Sequence, residues 1–227
     1  MRIIGLIPAR GGSKGIPKKN LHKINGVSLL EHKIMQAKKS VCREIWVSTE
    51  NDEIKKIASE AGSNIINRPS EYAADDSGTK EVIFHAIKYL DLKDEDIIVI
   101  LQTTSPLIRL SSINKCVSKL LDNNNFASVI TIRESNLHIW NTADGHYWNG
   151  ANHNPEVRKR RQDLDTSGWE TGGCYAIRTK LMQEQRVLLP QPVGVIHVSY
   201  LEAIDVDTKE ELEISADILK HFPYTQD

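Results

Sequence analysis

The sequence predicts an α/β protein with an open, mostly parallel sheet and helices on both faces. Three observations carry this. Short β-branched apolar runs alternate with helical patterns through the first two thirds of the chain. One of them, 97–101, reads Ile-Ile-Val-Ile-Leu and is apolar at every position, as a strand buried on both faces should be. The chain has 227 residues, 40% of them hydrophobic and 26% charged, which suits one globular domain over 1–227.

The first strand is expected at 3–7. Val27, Leu30, Ile34 and Ala37 follow at helical spacing. A strand at 44–48 comes next, then a helix capped by Asn51 or Asp52 and ending near Gly62. A short strand is expected at 64–67, a helix at 79–90, the central strand at 97–101, a helix from Ser111 or Ser112 to about Leu121, and a strand at 127–132. After Arg133 the pattern breaks. Residues 134–170 hold three of the four tryptophans, many Asn and Gly, and the basic run 158–161, with little helical period. They read as an inserted arm of loops and short strands. Aromatics without a core of their own point to a partner surface. The expected partner is a second copy of the chain, each arm packing on the other subunit of a homodimer. Strands resume at 173–177 and 193–198, and a last helix covers 208–220.

Lys+Arg (29) and Asp+Glu (30) nearly cancel, leaving a net charge of −1. That argues against a nucleic-acid partner, whose binder would be strongly basic. No apolar run approaches the ~18 residues of a membrane span. The N-terminal apolar run is short for a secretory signal. Cys42, Cys116 and Cys174 are odd in number and far apart, with no CxxC pattern, which fits a reducing cytoplasm without disulfides. His138, His146 and His153 lack tight ligand spacing and read as surface or packing residues, as does His85 in its helix.

Chemistry gathers in three places. The first strand runs into Pro-Ala-Arg-Gly-Gly-Ser-Lys-Gly-Ile-Pro-Lys-Lys-Asn at 8–20. This places three glycines, the cations Arg10, Lys14, Lys18 and Lys19, and the hydroxyl of Ser13 outside a strand's carboxyl end, where open sheets bind ligands. Glycines turn backbone N–H groups toward an anion and the cations add charge, so the composition is that of a polyphosphate cradle. The spacing is neither GxxxxGK[ST] nor GxGxxG. The second place is Ala-Ile-Asp-Val-Asp-Thr at 203–208. On a strand Asp205 and Asp207 would face one side, and paired carboxylates with nucleotide phosphates are how Mg²⁺ is usually held. The alternative is that Asp207 caps the last helix. The third is Gln102, at the end of the most apolar strand, where its side chain could meet a ligand or simply bond the next loop.

Together these segments resemble the cytidylyltransferases that activate acylneuraminate (sialic acid) and related nonulosonates with CTP. IPARGGSKGIPKKN is the most specific match, and RPSEYAADDS, LQTTSPLIR, RRQD and IDVDT follow in the family's order. The resemblance implies a single Rossmann-like nucleotidyltransferase domain with a dimerisation arm. It implies that Arg10, Ser13, Lys14 and Lys19 hold the CTP phosphates, and that Ala9, Gly12, Asn20 and Arg68 lie on the nucleotide side. It assigns Gln102, Arg161, Gln162 and Tyr175 to the acceptor sugar, and Asp205 and Asp207 to Mg²⁺. Two departures stand out. Trp169-Glu170 replaces an Arg-Pro of some bacterial relatives, and Thr103 stands where many have Pro.

The implied reaction is attack by the anomeric hydroxyl of a sialic acid-like nonulosonic acid on the α-phosphorus of CTP, releasing pyrophosphate, with Arg10, Lys14, Lys19, Asp205 and Asp207 as the catalytic set. No residue stands out as a general base. An eight-carbon acceptor, 3-deoxy-octulosonate, is the alternative within the class, and the RRQD segment speaks against it. A catalytically silent nucleotide-binding scaffold would not need both aspartates beside an intact basic loop. A dinucleotide oxidoreductase would need different glycine spacing and an acidic residue closing a strand about 20 residues past the loop.

Overall fold

The computed structural model describes residues 1–13, 15–73 and 78–221. In chain order the strands are β1 (Ile3–Pro8), β2 (Lys23–Ile24), β3 (Val27–Ser28), β4 (Glu44–Thr49), β5 (Asn64–Asn67), β6 (Ile97–Ile100), β7 (Ser128–Ser135), β8 (Trp140–Asn141), β9 (Asn149–Gly150), β10 (Ser167–Arg178) and β11 (Val193–His197). The helices are α1 (Leu29–Lys39), α2 (Asp52–Glu60), α3 (Thr79–Tyr89), α4 (Leu110–Asp122), α5 (Thr179–Gln185) and α6 (Lys209–His221).

Seven strands form one sheet in the order β11-β7-β10-β6-β1-β4-β5. β1 pairs in parallel with β6 on one side and β4 on the other. The chain therefore leaves β1 in one direction and later returns on its other flank. Such a switch point opens a crevice at the strands' carboxyl ends.

The period of two along each strand sorts side chains onto two faces. Ile7, Val47, Ile97 and Val99 pack against α1, α2 and α4 through Ile34, Ile54, Ala58, Ile113 and Val117. Ile4, Leu6, Ile98 and Ile100 face the other way, onto Ile83 and Ile87 of α3 and Met182 of α5. A smaller third cluster joins Ile16, Ile24, Leu29 and Val206 to Leu212 of α6. It fastens the loop after β1 to the segment just before α6.

The mostly parallel sheet is as expected, with one exception: β10 runs antiparallel to both β6 and β7. The reason is the arm. β7 enters it and β10 leaves it, so the chain comes straight back beside the strand it left, a return that needs no crossover helix. The arm is also less irregular at its base than expected. Ser135 pairs with Ser167 and Ile132 with Glu170, so a two-stranded ladder carries it. Farther out, β8 and β9 pair, and the His138, Trp140 and His153 rings pack edge to face.

Helix starts follow local chemistry. Ser28 and Glu31 form a capping box at α1, so Val27 belongs to the β2–β3 hairpin rather than the helix. Asn51 caps α2 by accepting from Ile54 N–H. α4 starts at Leu110, earlier than the serines suggest, because Ser112 turns inward and donates to buried Glu202 at 2.5 Å. Cys42, Cys116 and Cys174 are buried free thiols. Among the described residues no helix is long and apolar enough to cross a membrane.

Candidate active site

The loop after β1 presses closely against its neighbours at two glycines. A Cβ on Gly11 would stand 2.7–2.9 Å from atoms of Asn51, the cap of α2. A Cβ on Gly15 would stand 2.5 Å from the carbonyl oxygen of Asp207. Gly12 has open space in front of it. The loop is then pinned by side chains. Gly11 N–H donates to Glu50 Oε1 at 2.6 Å. Asn20, nearly buried, donates to the Arg10 carbonyl at 2.8 Å and accepts from Thr103 Oγ1 at 2.5 Å.

That last bond links the loop after β1 to the loop after β6 across the switch point. It gives Thr103 a role that Pro, having no hydroxyl, could not fill. Val206 N–H donates to the Thr104 carbonyl at 2.7 Å, bringing the 204–207 segment to the same place.

These three segments and the start of α3 enclose a cavity of about 410 Å³. Arg10, Ser13, Lys19, Asn20, Arg68, Gln102, Asp205 and Asp207 line it, with Tyr72, Gly78, Thr79, Thr103 and Thr104. Gly78 is the N-cap of α3 and Thr79 its first residue, with no side-chain cap bond from Gly78, and a helix N-terminus favours an anion. Lys14 lies outside the described residues.

Asp205 and Asp207 are not on a strand, contrary to expectation. They still project to one side, because Val206 between them is buried against α6. Asp207 is also not the helix cap. Thr208 Oγ1 accepts from Glu211 N–H at 3.2 Å, and Glu211 returns to the N–H groups of Asp207 and Thr208 at 2.8 Å. This capping box leaves the Asp207 carboxylate to the cavity.

Lys19 Nζ lies 2.7 Å from Asp207 Oδ1. Asp205 is less exposed, and its Oδ1 is buried with no hydrogen-bond partner. Burial pushes its pKa up, the Asp207 charge adds to that, and a hydrogen bond from Thr104 pulls it down. An orphaned carboxylate oxygen beside a second carboxylate is the donor set a hard divalent cation takes, so the residues fit Mg²⁺. Arg68, 6% exposed, donates from Nε to Ser48 Oγ at 3.2 Å and from Nη2 to the Ser48 carbonyl. Burial lowers its pKa to about 10, so it stays charged at neutral pH.

The remaining expected positions lie elsewhere. Ala9 is buried in the core beneath the loop, and Gly12 is on the loop but does not line the cavity. Arg161 and Gln162 are exposed in a short 3₁₀ turn of the arm, outside this chain's cavity. Tyr175 is 5% exposed, and its hydroxyl donates to Glu170 Oε1 at 2.6 Å. The carboxylate that departs from the bacterial relatives is thus taken up by the tyrosine.

The sequence reading missed Tyr72, Thr104 and the start of α3 as cavity walls. Gly78-Thr79, a small residue before a helical run, was the available signal for the last.

Residues 4–153 match the family model described as Cytidylyltransferase. N-acylneuraminate cytidylyltransferase B of Danio rerio is 33% identical over 174 residues, which are 75% of this chain and 40% of that protein. The 3-deoxy-manno-octulosonate cytidylyltransferase of Wigglesworthia glossinidia brevipalpis is 37% identical over 58% of this chain and 53% of its own length. The chain spans about half the length of the curated relatives it matches. Among solved structures, a CMP:2-keto-3-deoxy-manno-octonic acid synthetase complexed with CTP shares the fold at a TM-score of 0.70 and 16% identity, covering 97% of this chain and 99% of that one.

Proposed function

Because the chain belongs to the cytidylyltransferase family, we propose that it transfers CMP from CTP to the anomeric hydroxyl of a 2-keto sugar acid and releases pyrophosphate. The observation that carries this reading is the convergence of Arg10, Lys19, Asp205 and Asp207 on one cavity at the carboxyl ends of β1 and β6. A binding scaffold has no need to bury a carboxylate oxygen without a partner, at a cost, beside a second negative charge.

In this reading Arg10, Ser13, Lys14 and Lys19 receive the triphosphate, with the first turn of α3 facing the same space. Their charge matters most where negative charge grows, on the departing pyrophosphate. Asn20, held by Thr103, keeps the Arg10 backbone in place. Arg68 is preset by Ser48 and loses little freedom on binding. Asp205 and Asp207 would hold Mg²⁺, which neutralises phosphate charge and makes a bound hydroxyl easier to ionise. Lys19 must then share Asp207 with the metal or turn to the phosphates.

The acceptor stands near Gln102. A nine-carbon acid is supported by the relative from Danio rerio and by the RRQD segment, and an eight-carbon acid by the relative from Wigglesworthia. We further propose a homodimer in cytoplasm whose arm carries Arg161 and Gln162 to the partner's site. Trp140, Tyr147 and Trp148 are 46%, 77% and 58% exposed on this arm, a surface that suits a second copy of the chain. The test is pyrophosphate release from each of the four NTPs with N-acetylneuraminate or 3-deoxy-manno-octulosonate. Release is expected with CTP alone and only when an acid is present. Equal release from all four, or release without an acid, overturns the proposal.

A further inference from the structure

A fully buried lysine is uncommon, because its ammonium group loses its water. Lys33 on α1 is 1% exposed. Its Nζ donates to Gln36 Oε1 at 2.7 Å and to the Ser105 carbonyl at 2.9 Å, both neutral groups. Gln36, also buried, donates to the Ile108 carbonyl. One helix therefore grips both ends of the 105–108 segment, just beyond the cavity residues Gln102, Thr103 and Thr104.

The chain of bonds continues. Ser105 Oγ donates to the Thr171 carbonyl at 3.3 Å. Thr171 Oγ1 meets Thr131 Oγ1 at 2.8 Å, and Cys174 N–H donates to the same Thr131 oxygen at 3.1 Å. Ser105, Thr131 and Thr171 are all buried. This polar strut ends in the bulge of β10, where the pairing register shifts between Glu170 and Tyr175. Gly172 in the bulge has φ +70°, and a Cβ there would stand 3.2 Å from Gln102 Oε1. The strut thus braces two surfaces that confine Gln102: its own loop and the bulge opposite. A methionine or leucine would fill the volume of Lys33 without the desolvation cost, so packing alone does not account for the amine.

We infer that Lys33 is a positioning residue for the acceptor side of the site, setting Gln102 through the strut of Gln36, Ser105 and Thr171. The inference rests on the proposed reading in that it takes Gln102 to meet the acceptor acid.

The test uses the full chain with Lys33→Met and Ser105→Ala. It measures the KM for CTP, the KM for whichever of the two acids the wild type uses, and amide hydrogen exchange. Losing the strut's bonds should raise the acid's KM about tenfold in Lys33→Met and leave the KM for CTP unchanged. Exchange should quicken at 102–108 and 170–174 but not in β1 or α2. Ser105→Ala should move the same quantities in the same direction, less far. Unchanged exchange at both segments overturns the inference, as does an equal rise in both KM values. If Lys33→Met fails to fold, Ser105→Ala decides by exchange at 170–174. If the wild type uses neither acid, the proposed function fails while the exchange data still judge the strut.

Discussion

Lys19 ties the two ends of the chain together at the site: its Nζ lies 2.7 Å from Asp207 Oδ1 and 2.9 Å from the Val206 carbonyl oxygen. The Lys19 side chain is 13% exposed and the Asp207 side chain 69%. With the Asp207 end this exposed, solvent screens the ion pair and its contribution to stability is small. Its importance is therefore expected in turnover. Lys19→Ala should lower kcat/KM for CTP by roughly 10²-fold, the usual cost of one group placed where charge develops, with only a modest fall in Tm from the lost bond to Val206. Lys38→Ala is the control. That amine is exposed and donates to the Ala61 carbonyl at 3.2 Å, far from the cavity in the fold, and its kcat/KM should match the wild type. Equal effects from both would reduce the loop to a turn.

Asp205 couples stability to function with opposite signs. Its folded pKa is raised, chiefly by burial. The folded state therefore disfavours its charge, and stability falls as pH rises from the ordinary carboxyl range through the raised value. Asp205→Asn removes that loss. Relative to wild type, the variant should gain in Tm as pH rises from the ordinary carboxyl value of 3.8, while turnover collapses. Mg²⁺ should raise the wild-type Tm and not the variant's, and chelation should stop the wild-type enzyme. A variant that keeps full activity, or responds to Mg²⁺ as the wild type does, counts against the metal role.

The glycines of the first loop should separate in the same way. Gly15→Ala puts a methyl group 2.5 Å from the Asp207 carbonyl oxygen, a backbone atom that cannot move without shifting Val206 and the third core cluster. It should lower Tm by several degrees and damage kcat. Gly12→Ala meets nothing within 4 Å. It should leave Tm unchanged and raise the KM for CTP if the nucleotide fills the space before it. Thermal melts with and without CTP compare the two, and identical behaviour would contradict this picture of the loop.

Much of this site was legible because the chemistry is dense along the chain. The 8–20 loop announces its charge, and β6 announces its burial. What was not legible depends on contacts between distant segments. Thr103 reads as an ordinary hydroxyl until Asn20 is beside it, and nothing near Lys33 in sequence says that Ser105, 72 residues on, will accept its bond. The direction of β10 was equally hidden, since a buried strand of either direction has the same apolar pattern. The β2–β3 hairpin is a different case. Asn25-Gly26 is a turn signal, and both residues take positive φ, at 51° and 87°. The helical spacing of Leu30, Ile34 and Ala37 that follows overlaps that signal at Val27.

Lys33 makes a prediction about pH. Burial lowers its pKa from 10.5 to about 7, opposed by the neighbouring Cys174 and Asp205 side chains. Between these values the unfolded chain binds a proton that the folded protein does not. Stability then rises with pH across that window. Lys33→Met lacks the effect, so the wild type should gain on the variant as pH goes from 7 to 10.5. Paired melts at the two ends of the window measure this. A constant difference between the proteins would mean that the amine is not desolvated as its burial implies.

The last prediction concerns the arm. Arg160 is occupied by Asp163, at 2.6 and 3.1 Å, whereas the neighbouring Arg161 is exposed and outside this chain's cavity. A guanidinium that serves a sugar carboxylate from there must reach another subunit's site, where it could bind bidentately. Arg161→Ala should then raise the acceptor KM far more than the KM for CTP. Mixing Arg161→Ala subunits with Asp207→Asn subunits tests the crossing. If arms cross, a mixed dimer gathers both lesions in one site and leaves the other wild-type, so activity returns on mixing. If each arm serves its own subunit, every site keeps one lesion and mixing restores nothing. A monomer at assay concentration, measured by sedimentation, would rule out the crossed arm before any kinetics are done.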